Sequence, residues 1–283
     1  MERKVIRHGN HVLNNDTDGY IYSYNTTEGY TFASHLHSCY EFIHIIHGNL
    51  LYTVEGSDYM LSDGDFIMTK PAELHSFSFP KKCKYEREFF HIYPGFLSMF
   101  PELLEQLDNR ESGYFNRFPA EVVTRYGIDK IFKGIEENCA NRTPETDFIS
   151  FTYALQLVTR VNQVLKAEQP EKQEVITNRL ASRVSDYIDT HYAESITIDS
   201  IASSMFVSQS YLSRVFKKET GITVKAYLNM RRVTAAKNLI MEGQQITHSY
   251  SSCGYNDYST FFRAFVKYAG MTPEEFRKKH NKK

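Results

Sequence analysis

One predicted helix in the C-terminal part of the chain carries hydrogen-bonding and basic side chains along a single face. Gln209, Ser210, Ser213, Arg214 and Lys217 recur at separations of three, four and seven residues, which bring side chains to the same side of an α-helix. Amide, hydroxyl and guanidinium groups can bind the edges of DNA bases, and basic groups pair with phosphates. The pattern therefore predicts a helix that enters the major groove of DNA.

The neighbouring residues are those needed to form and position this helix. Ser208 is a suitable N-cap, because its hydroxyl accepts from a backbone N–H of the next turn, and Gly221 is a suitable C-cap. The opposite face is apolar, with Leu212, Val215 and Phe216. These features predict a recognition helix with a buried back and a polar front.

A shorter helix is predicted just before it, from Asp199 to Met205. Ile201 and Met205 are expected to face inward, and Ala202 is small enough to let the second helix approach closely. Two helices joined by a tight turn form a helix-turn-helix unit.

The chain then repeats this unit. With an offset of 49 residues, seven positions of the first unit meet a similar residue in the second: Ser210 and Ser259, Leu212 and Phe261, Arg214 and Arg263, Phe216 and Phe265, Lys218 and Lys267, Gly221 and Gly270, and Thr223 and Thr272. Upstream the offset is 48, so that Val207 matches Tyr255. One residue is therefore inserted in the second turn.

The repeat carries a family resemblance in three segments, YLSRVFKKETG, KAYLNMRRVTAAKNLIM and CGYNDYSTFFRAFVKYAGMTPEEFR. Over about residues 177–280 the chain resembles the AraC/XylS family of transcription regulators. The resemblance includes the tail Gly-x-Thr-Pro followed by Phe276 and Arg277. It implies two helix-turn-helix units held by one long helix, about Val224–Glu242, with both recognition helices in successive major grooves.

The resemblance also implies DNA contacts from both units. The expected DNA-binding residues are Ser208, Gln209, Ser210, Ser213, Arg214, Lys217, Asn256, Tyr258, Ser259, Arg263 and Lys267. The chain departs from the family at Ser249 and Tyr250, where an Ile-Ala pair is usual, and at Val224, where Pro is common. A Tyr in place of a small residue is expected to crowd the crossing of the two helices in the second unit.

The N-terminal half has a different pattern, with short runs rich in Tyr, Phe, Ile, Val and Thr between Gly19 and Pro80. Gly, Asp and Pro lie at the breaks, which predicts an all-β sandwich or barrel. The chain is therefore expected to be multidomain, with an N-terminal all-β barrel, following helices, and a C-terminal all-α double helix-turn-helix domain.

Residue spacings in this half resemble the two motifs of cupins, which form double-stranded β-helix barrels. The matching residues are Gly29, His35, His37, Glu41 and Gly48, then Gly64, Pro71 and His75, with Glu73 where a Gly is usual. Cupins that bind a metal use the residues matching His35, His37, Glu41 and His75. Three imidazoles and one carboxylate suit divalent iron, manganese, nickel or zinc.

Two interpretations of these four residues remain open. They are either the ligands of a divalent metal or the lining of a pocket that hydrogen-bonds a small-molecule effector. Sensor barrels joined to this type of DNA-binding domain often keep the histidines without a metal, so the resemblance favours a ligand-binding pocket lined by His35, His37, Glu41 and His75.

A helical tract follows the predicted barrel. Its apolar residues Phe148, Phe151, Leu155, Val158, Val161 and Leu165 recur at steps of three and four. This stripe either covers the barrel or pairs with a second chain. The expected domains are residues 1–167, with the barrel at about 10–93 and helices at about 94–167, a linker at 168–176, and the DNA-binding domain at 177–283.

Charge and cysteine content are consistent with this division. Residues 175–283 contain 16 Lys and Arg against 9 Asp and Glu, whereas residues 1–174 contain 17 against 25. Only the C-terminal half is thus suited to approach a polyanion. Cys39, Cys83, Cys139 and Cys253 are far apart, without a CxxC pair, and reduced thiols are expected. The chain shows no membrane-spanning or signal-peptide pattern, so a cytoplasmic location is expected.

These observations predict a DNA-binding transcription regulator, not an enzyme. The expected partners are double-stranded DNA, a small-molecule effector such as a carbohydrate, RNA polymerase through an activator function, and a second copy of the chain. The alternative is a metal-dependent cupin enzyme fused to a DNA-binding domain.

Overall fold

The computed structural model describes residues 11–13, 20–28, 32–80, 84–97, 100–139, 143–168 and 179–280. Gly29 of the first cupin-like motif, Cys83 and residues 169–178 of the expected linker lie outside the described residues. Within these ranges the first half is mainly β-structure and the second half is helical.

Ten strands form two antiparallel sheets in the described part of the chain. They are β1 His11–Leu13, β2 Tyr20–Glu28, β3 Phe32–His35, β4 Tyr40–His47, β5 Leu50–Val54, β6 Ser57–Leu61, β7 Phe66–Thr69, β8 His75–Ser78, β9 Lys84–Ile92 and β10 Arg117–Phe118. One sheet has the order β1-β2-β9-β4-β7-β10, and the other has the order β3-β8-β5-β6. The two-residue β10 comes from the tract expected to be helical and pairs with β7.

Alternating side chains place the core between the two sheets. In β6, Tyr59 and Leu61 are buried while Asp58 and Met60 are exposed, as expected for a strand with one covered face. The inward side chains join Ile43, Phe77 and others in one apolar cluster. In contrast, all four residues of β7 are buried, because helices cover the other face of its sheet.

The eleven α-helices of the described residues follow in two groups. The first group is α1 Pro101–Asn109, α2 Ala120–Arg125, α3 Ile128–Cys139 and α4 Pro144–Ala167, and a short 3-10 turn at Pro94–Leu97 precedes it. The second group is α5 Arg179–His191, α6 Ile198–Ser204, α7 Gln209–Thr220, α8 Val224–Met241, α9 Ile246–Ser252, α10 Tyr258–Ala269 and α11 Pro273–His280. None of the described helices has the length and apolar character needed to cross a membrane.

Helices α1–α4 pack on the outer face of the six-stranded sheet. Phe42, Phe66 and Phe90 of the sheet share one apolar cluster with residues of α3 and α4. In the α4 stripe, Val158 and Val161 are fully buried, whereas Phe148 at the start of the helix is 68% exposed. The stripe thus covers the barrel over its central part and leaves its first turn at the surface.

Two separate cores hold helices α5–α11, and α8 belongs to both. Its N-terminal half contributes Val224, Tyr227 and Met230 to the core around α5–α7. Its C-terminal half contributes Val233 and other apolar residues to the core around α9–α11. The long helix expected at about Val224–Glu242 therefore packs against both helix-turn-helix units.

Glu73, which occupies the position where cupins usually have a Gly, forms a buried ion pair. Its Oε2 accepts from Nη2 of Arg110 at 2.6 Å, and its Oε1 accepts from the backbone N–H of Gly113. Burial alone would raise the pKa of Glu73, but the charge and hydrogen bond of Arg110 lower it below its ordinary value. This pair fixes the loop between β7 and β8 to the segment after α1.

We expect Arg110→Ala to lower the free energy of unfolding by about 3–5 kcal/mol, because it leaves the Glu73 carboxylate buried without its cation. Urea denaturation of the full-length protein measures the change. Arg125→Ala is the matched control, since Arg125 pairs with Glu168 at the surface and its loss should cost about 0–1 kcal/mol. Equal effects of the two substitutions would contradict this account of Glu73.

Candidate DNA-binding helices and barrel site

The first helix-turn-helix unit consists of α6 and α7. The Oγ of Ser208 accepts from the backbone N–H of Tyr211 at 3.3 Å and caps α7, as the sequence predicts. Gly221 ends the helix at φ 76°, in the left-handed region that favours glycine. Leu212 and Phe216 are buried, so the back of α7 is the face that packs on the protein.

The polar front of α7 faces away from the protein. Ser208, Gln209, Ser210, Arg214 and Lys217 are exposed, and Ser213 is half-buried. The Arg214 guanidinium lies 5.6 Å from the centre of the Tyr211 ring. The first unit therefore presents all of its predicted DNA-binding side chains on one accessible face.

The second unit, α9 and α10, has the same construction. Its N-cap is Asp257, whose Oδ1 accepts from the N–H of Thr260 at 2.8 Å, and its C-cap is Gly270 at φ 71°. The predicted DNA-binding residues of this unit are all exposed: Asn256, Tyr258, Ser259, Arg263 and Lys267. The sequence repeat is thus a structural repeat.

Backbone hydrogen bonds locate the inserted residue. Val207 N–H donates to the Ala202 carbonyl at 3.0 Å, and Tyr255 N–H donates to the Tyr250 carbonyl at 3.2 Å, so the two turns correspond at an offset of 48. The caps Ser208 and Asp257 correspond at an offset of 49. Asn256 is therefore the additional residue, and it lies directly before the second recognition helix.

The residues that depart from the family pattern are accommodated within the second unit. Ser249 is fully buried. Tyr250 is half-buried, and the centre of its ring lies 5.7 Å from the ring centre of Phe261 and 5.8 Å from that of Tyr258. The tyrosine expected to crowd the helix crossing thus lies against the aromatic side chains of α10.

Strand register brings the four predicted barrel residues together. His35 of β3 is paired with His75 of β8 in one sheet, and Glu41 of β4 is paired with His91 of β9 in the other. His37 lies in the connection between β3 and β4, and its ring centre is 4.8 Å from that of His35 and 5.1 Å from that of His75. The candidate site therefore lies between the sheets.

Sequence reasoning missed two members of this cluster. His91 Nε2 is 2.9 Å from Glu41 Oε1, and Tyr52 donates to Glu41 Oε2 at 3.1 Å. Both residues lie on strands, but no motif links them to the His35–Glu41 segment. Only the pairing of β9 with β4 and the packing of the two sheets place them here.

Burial and charge act against each other within the cluster. Burial lowers the pKa of His37 well below its ordinary value, the charge of Glu41 opposes this, and the neighbouring imidazoles lower the pKa further. Burial would raise the pKa of Glu41, but contacts with His75 and His91 outweigh it and hold the pKa well below its usual range. The site thus combines one carboxylate with several imidazoles, which suits a metal cation or a hydrogen-bonding ligand.

The helices of the C-terminal half contact the barrel next to this cluster. Ser34 donates to the carbonyl of Thr220, the last residue of α7, at 2.8 Å. Leu74, directly before His75, is buried in the core of the first helix-turn-helix unit. The residues adjacent to His35 and His75 therefore hold the DNA-binding part of the chain.

The buried hydroxyl group of Tyr227 lies at the same contact between the barrel and the helices. Tyr227 Oη is 3.2 Å from Glu55 Oε1 and 3.0 Å from Asp189 Oδ1, and Asp189 also pairs with Arg231 at 2.6 Å. Glu55 Oε1 accepts in addition from the Leu74 N–H at 2.7 Å. Burial, reinforced by the charge of Asp189, raises the pKa of Glu55 to about 8.

Comparison with known proteins agrees with both halves of the structure. A family model described as an AraC-like ligand-binding domain matches residues 19–133, and a helix-turn-helix domain model matches residues 201–279. The first match covers the barrel cluster, and the second covers both recognition helices.

Several known proteins are similar to this chain. The HTH-type transcriptional activator RhaS of Escherichia fergusonii is 23% identical over 249 residues, which are 87% of each chain. A DNA-binding transcriptional dual regulator of Escherichia coli K-12 is 32% identical in its solved structure, which covers 35% of this chain and 95% of that one, with a TM-score of 0.32. ToxT from Vibrio cholerae aligns over 97% of this chain and 98% of its own, at 13% identity and a TM-score of 0.43.

The family matches support a regulator and give no support to the alternative of a metal-dependent cupin enzyme. The order of the two matched domains also agrees with the order of the barrel and the helix-turn-helix units in the fold. The chain belongs to the AraC/XylS family of transcription regulators, with a ligand-binding domain followed by a helix-turn-helix DNA-binding domain.

Proposed function

We propose that this regulator reads DNA through both recognition helices and responds to a ligand bound in its barrel. The observation that carries the proposal is the contact between the two halves: Ser34 and Leu74 hold the DNA-binding part, and their neighbours His35 and His75 line the cluster. A ligand that moves the cluster would thereby move the end of α7.

In the first unit, we assign base readout to Gln209, Ser210, Ser213 and Arg214, with Ser208 and Lys217 next to the phosphates. The exposed, capped front of α7 supports this assignment. In the second unit, the corresponding roles fall to Asn256, Tyr258, Ser259, Arg263 and Lys267. Their exposure on and before α10 is the supporting observation.

In the barrel, His35, His37, Glu41 and His75 bind the effector. Imidazoles and a carboxylate can donate to and accept from the hydroxyl groups of a small polar molecule such as a carbohydrate. Such a ligand regulates only if it binds one arrangement of the two halves better than the other. The Ser34 and Leu74 contacts are the part of the structure that would differ between those arrangements.

The remaining parts of the proposal concern organisation. Residues 1–167 form the sensing domain, 168–176 the linker and 177–283 the DNA-binding domain. Exposed Phe148 at the start of α4 supports a homodimer through this helix. We further propose that the protein acts in the cytoplasm as an activator that contacts RNA polymerase, in line with the similar HTH-type transcriptional activator RhaS.

A footprint of the full-length protein on DNA tests the reading mode. We expect protection in two adjacent major grooves per subunit, with centres about 34 Å apart. Protection of a single groove would contradict a role for the second unit, and no preferred site at low salt in a genomic library would overturn DNA recognition.

Arg214→Ala is expected to lower specific affinity by about 1–3 kcal/mol, because a bidentate contact with a base edge is lost. Binding titrations on the footprinted site and on a scrambled site measure the change. Arg125→Ala is the control, since Arg125 is an exposed arginine on α2 of the barrel half. Equal losses on both DNA sites would identify Arg214 as a phosphate contact instead.

The contact between the two halves is expected to weaken as pH rises. Glu55 is surrounded by Asp189, Glu73, Tyr227 and Arg231, and its pKa is raised from 4.5 to about 8. Below pH 4.5 the carboxyl is neutral in the native and unfolded states, so its contribution to stability is complete. Between about 4.5 and 8 the unfolded state loses the proton first, and this contribution declines.

Melting curves of the full-length protein between pH 5 and 8.5 test this expectation. Glu55→Gln removes the titration of Glu55 and keeps an acceptor for Leu74 N–H, so its melting temperature should fall less steeply with pH than that of the wild type. The slope that remains includes Asp189, whose pKa burial raises to about 6. Asp58→Asn, at an exposed carboxylate of the same barrel, should leave the wild-type slope unchanged. Parallel curves for the wild type and Glu55→Gln would sink the assignment.

A further inference from the structure

A large aromatic side chain lies at the surface of the first recognition helix. Tyr211 of α7 is 45% exposed, and it belongs to none of the apolar cores formed by the described residues. Aromatic side chains stabilise proteins mainly through the area that they bury, and this ring remains largely in solvent. Packing in the core therefore does not account for Tyr211.

The Tyr211 ring contacts the arginine that we assign to base readout. Cζ of Arg214 lies over the ring, 5.6 Å from its centre, which is within the range of a cation–π contact. The two residues are three positions apart, and side chains of a helix lean toward the preceding turn. The spacing in the sequence thus brings the guanidinium group over the ring.

The N-cap holds the backbone from which this ring extends. The first N–H groups of a helix have no partner within the helix, and its end frays unless a cap binds them. The N–H of Tyr211 donates to Ser208 Oγ at 3.3 Å. Tyr211 therefore lies in an ordered first turn of α7.

A contact with a ring face leaves the hydrogen-bonding groups of the arginine available. The ring attracts the positive charge of the guanidinium and does not need its N–H groups. Among the described residues, the Arg214 guanidinium has no hydrogen bond or ion pair. Its N–H groups can therefore bind O6 and N7 of a guanine, the commonest base-specific contact of arginine in the major groove.

The second unit repeats this arrangement with a different contact. Thr260 matches Tyr211 at the offset of 49, and Arg263 Nη2 donates to Thr260 Oγ1 at 3.4 Å. The N–H of Thr260 donates to the N-cap Asp257 at 2.8 Å. In both units, the residue one turn before the arginine is held by the N-cap and contacts the guanidinium.

Such a contact lowers the cost of binding a base. A long side chain loses rotamer freedom when it is fixed on DNA, and a contact that already restricts it in the free protein reduces this loss. The benefit appears only on DNA that offers the arginine its base. The contact therefore strengthens specific binding more than nonspecific binding.

We propose that Tyr211 and Thr260 are positioning residues, which direct the guanidinium groups of Arg214 and Arg263 toward base edges and so contribute to sequence discrimination. The inference rests on the proposed function, because it takes these two arginines as base readers. It adds two residues that are outside the expected set of DNA-binding residues.

Base-pair substitutions along the footprinted site test the proposal with the full-length protein. Arg214→Ala and Arg263→Ala first identify the base pairs that each arginine discriminates. We expect Tyr211→Leu to lower the affinity for the unsubstituted site about two- to fivefold and to weaken discrimination at the Arg214 base pairs alone. Thr260→Val keeps the shape and removes the acceptor, so it should weaken discrimination at the Arg263 base pairs alone.

The conservative variant Tyr211→Phe keeps the ring face and should retain the affinity and discrimination of the wild type. Tyr114→Leu is the matched control, since Tyr114 is an exposed tyrosine of the barrel half, and it should bind DNA like the wild type. Far-UV circular dichroism checks that each variant is folded. Equal losses in Tyr211→Phe and Tyr211→Leu would show that the hydroxyl group contacts DNA directly, and would overturn the positioning role.

A double-mutant cycle distinguishes this inference from the proposed function. In the Arg214→Ala background, Tyr211→Leu should cause no further loss, because no guanidinium remains to be held. A loss as large as in the wild-type background would overturn the inference. Specific loss in Arg214→Ala with wild-type binding in Tyr211→Leu would overturn the role of Tyr211 and leave the proposed function intact. Equal loss on footprinted and scrambled DNA in Arg214→Ala would overturn base readout by Arg214 and the inference with it.

Discussion

The structure depends on the alternation of side chains at the end of β3 and the start of β8. Successive residues of a strand point to opposite faces, so a residue that faces the barrel interior has a neighbour that faces outward. His35 and His75 face inward, and Ser34 and Leu74 contact the DNA-binding part. The candidate sensing site and the contact with the DNA-binding part are thus formed by adjacent residues. No long chain of contacts is needed to connect them.

Buried polar groups fix the loop that makes this connection. On one side, Glu73 is held by Arg110 and Gly113. On the other side, the N–H of Leu74 is held by Glu55, which also meets Tyr227 of α8. Because unpaired polar groups are costly in a protein interior, each of these bonds restricts where the loop can lie. These bonds therefore hold the loop against the barrel. The contact of the loop with α8 includes the carboxyl group of Glu55, whose pKa depends on its surroundings.

The helical half of the structure could be predicted from the sequence because the residues that determine each helix lie close together in the chain. Ser208 and Gly221 mark the ends of α7, and the spacing of Leu212 and Phe216 marks its buried side. The repeat then gave the second unit, including the inserted residue that proved to be Asn256. The sequence also indicated a sheet-rich first half and the cluster of His35, His37, Glu41 and His75.

The other features depend on contacts between distant segments, which the sequence pattern does not encode. His91 reaches Glu41 only through the register of β9 with β4. Tyr227 reads as a core residue of α8, and nothing near it in sequence indicates Glu55, 172 positions away. The sequence predicts that Tyr250 crowds a helix crossing. It does not indicate that the Tyr250 ring packs against Phe261, because that contact exists only in the folded structure.

The double membership of α8 has a consequence for the DNA that such a protein can use. Since Tyr227 and Val233 of one continuous helix belong to different cores, the two helix-turn-helix units cannot rotate independently without breaking one core. The helical phase between their two contact sequences is then set by the protein. One base pair more or fewer between those sequences would rotate one of them about the DNA axis by about a tenth of a turn. Twisting of the duplex would have to compensate for that rotation.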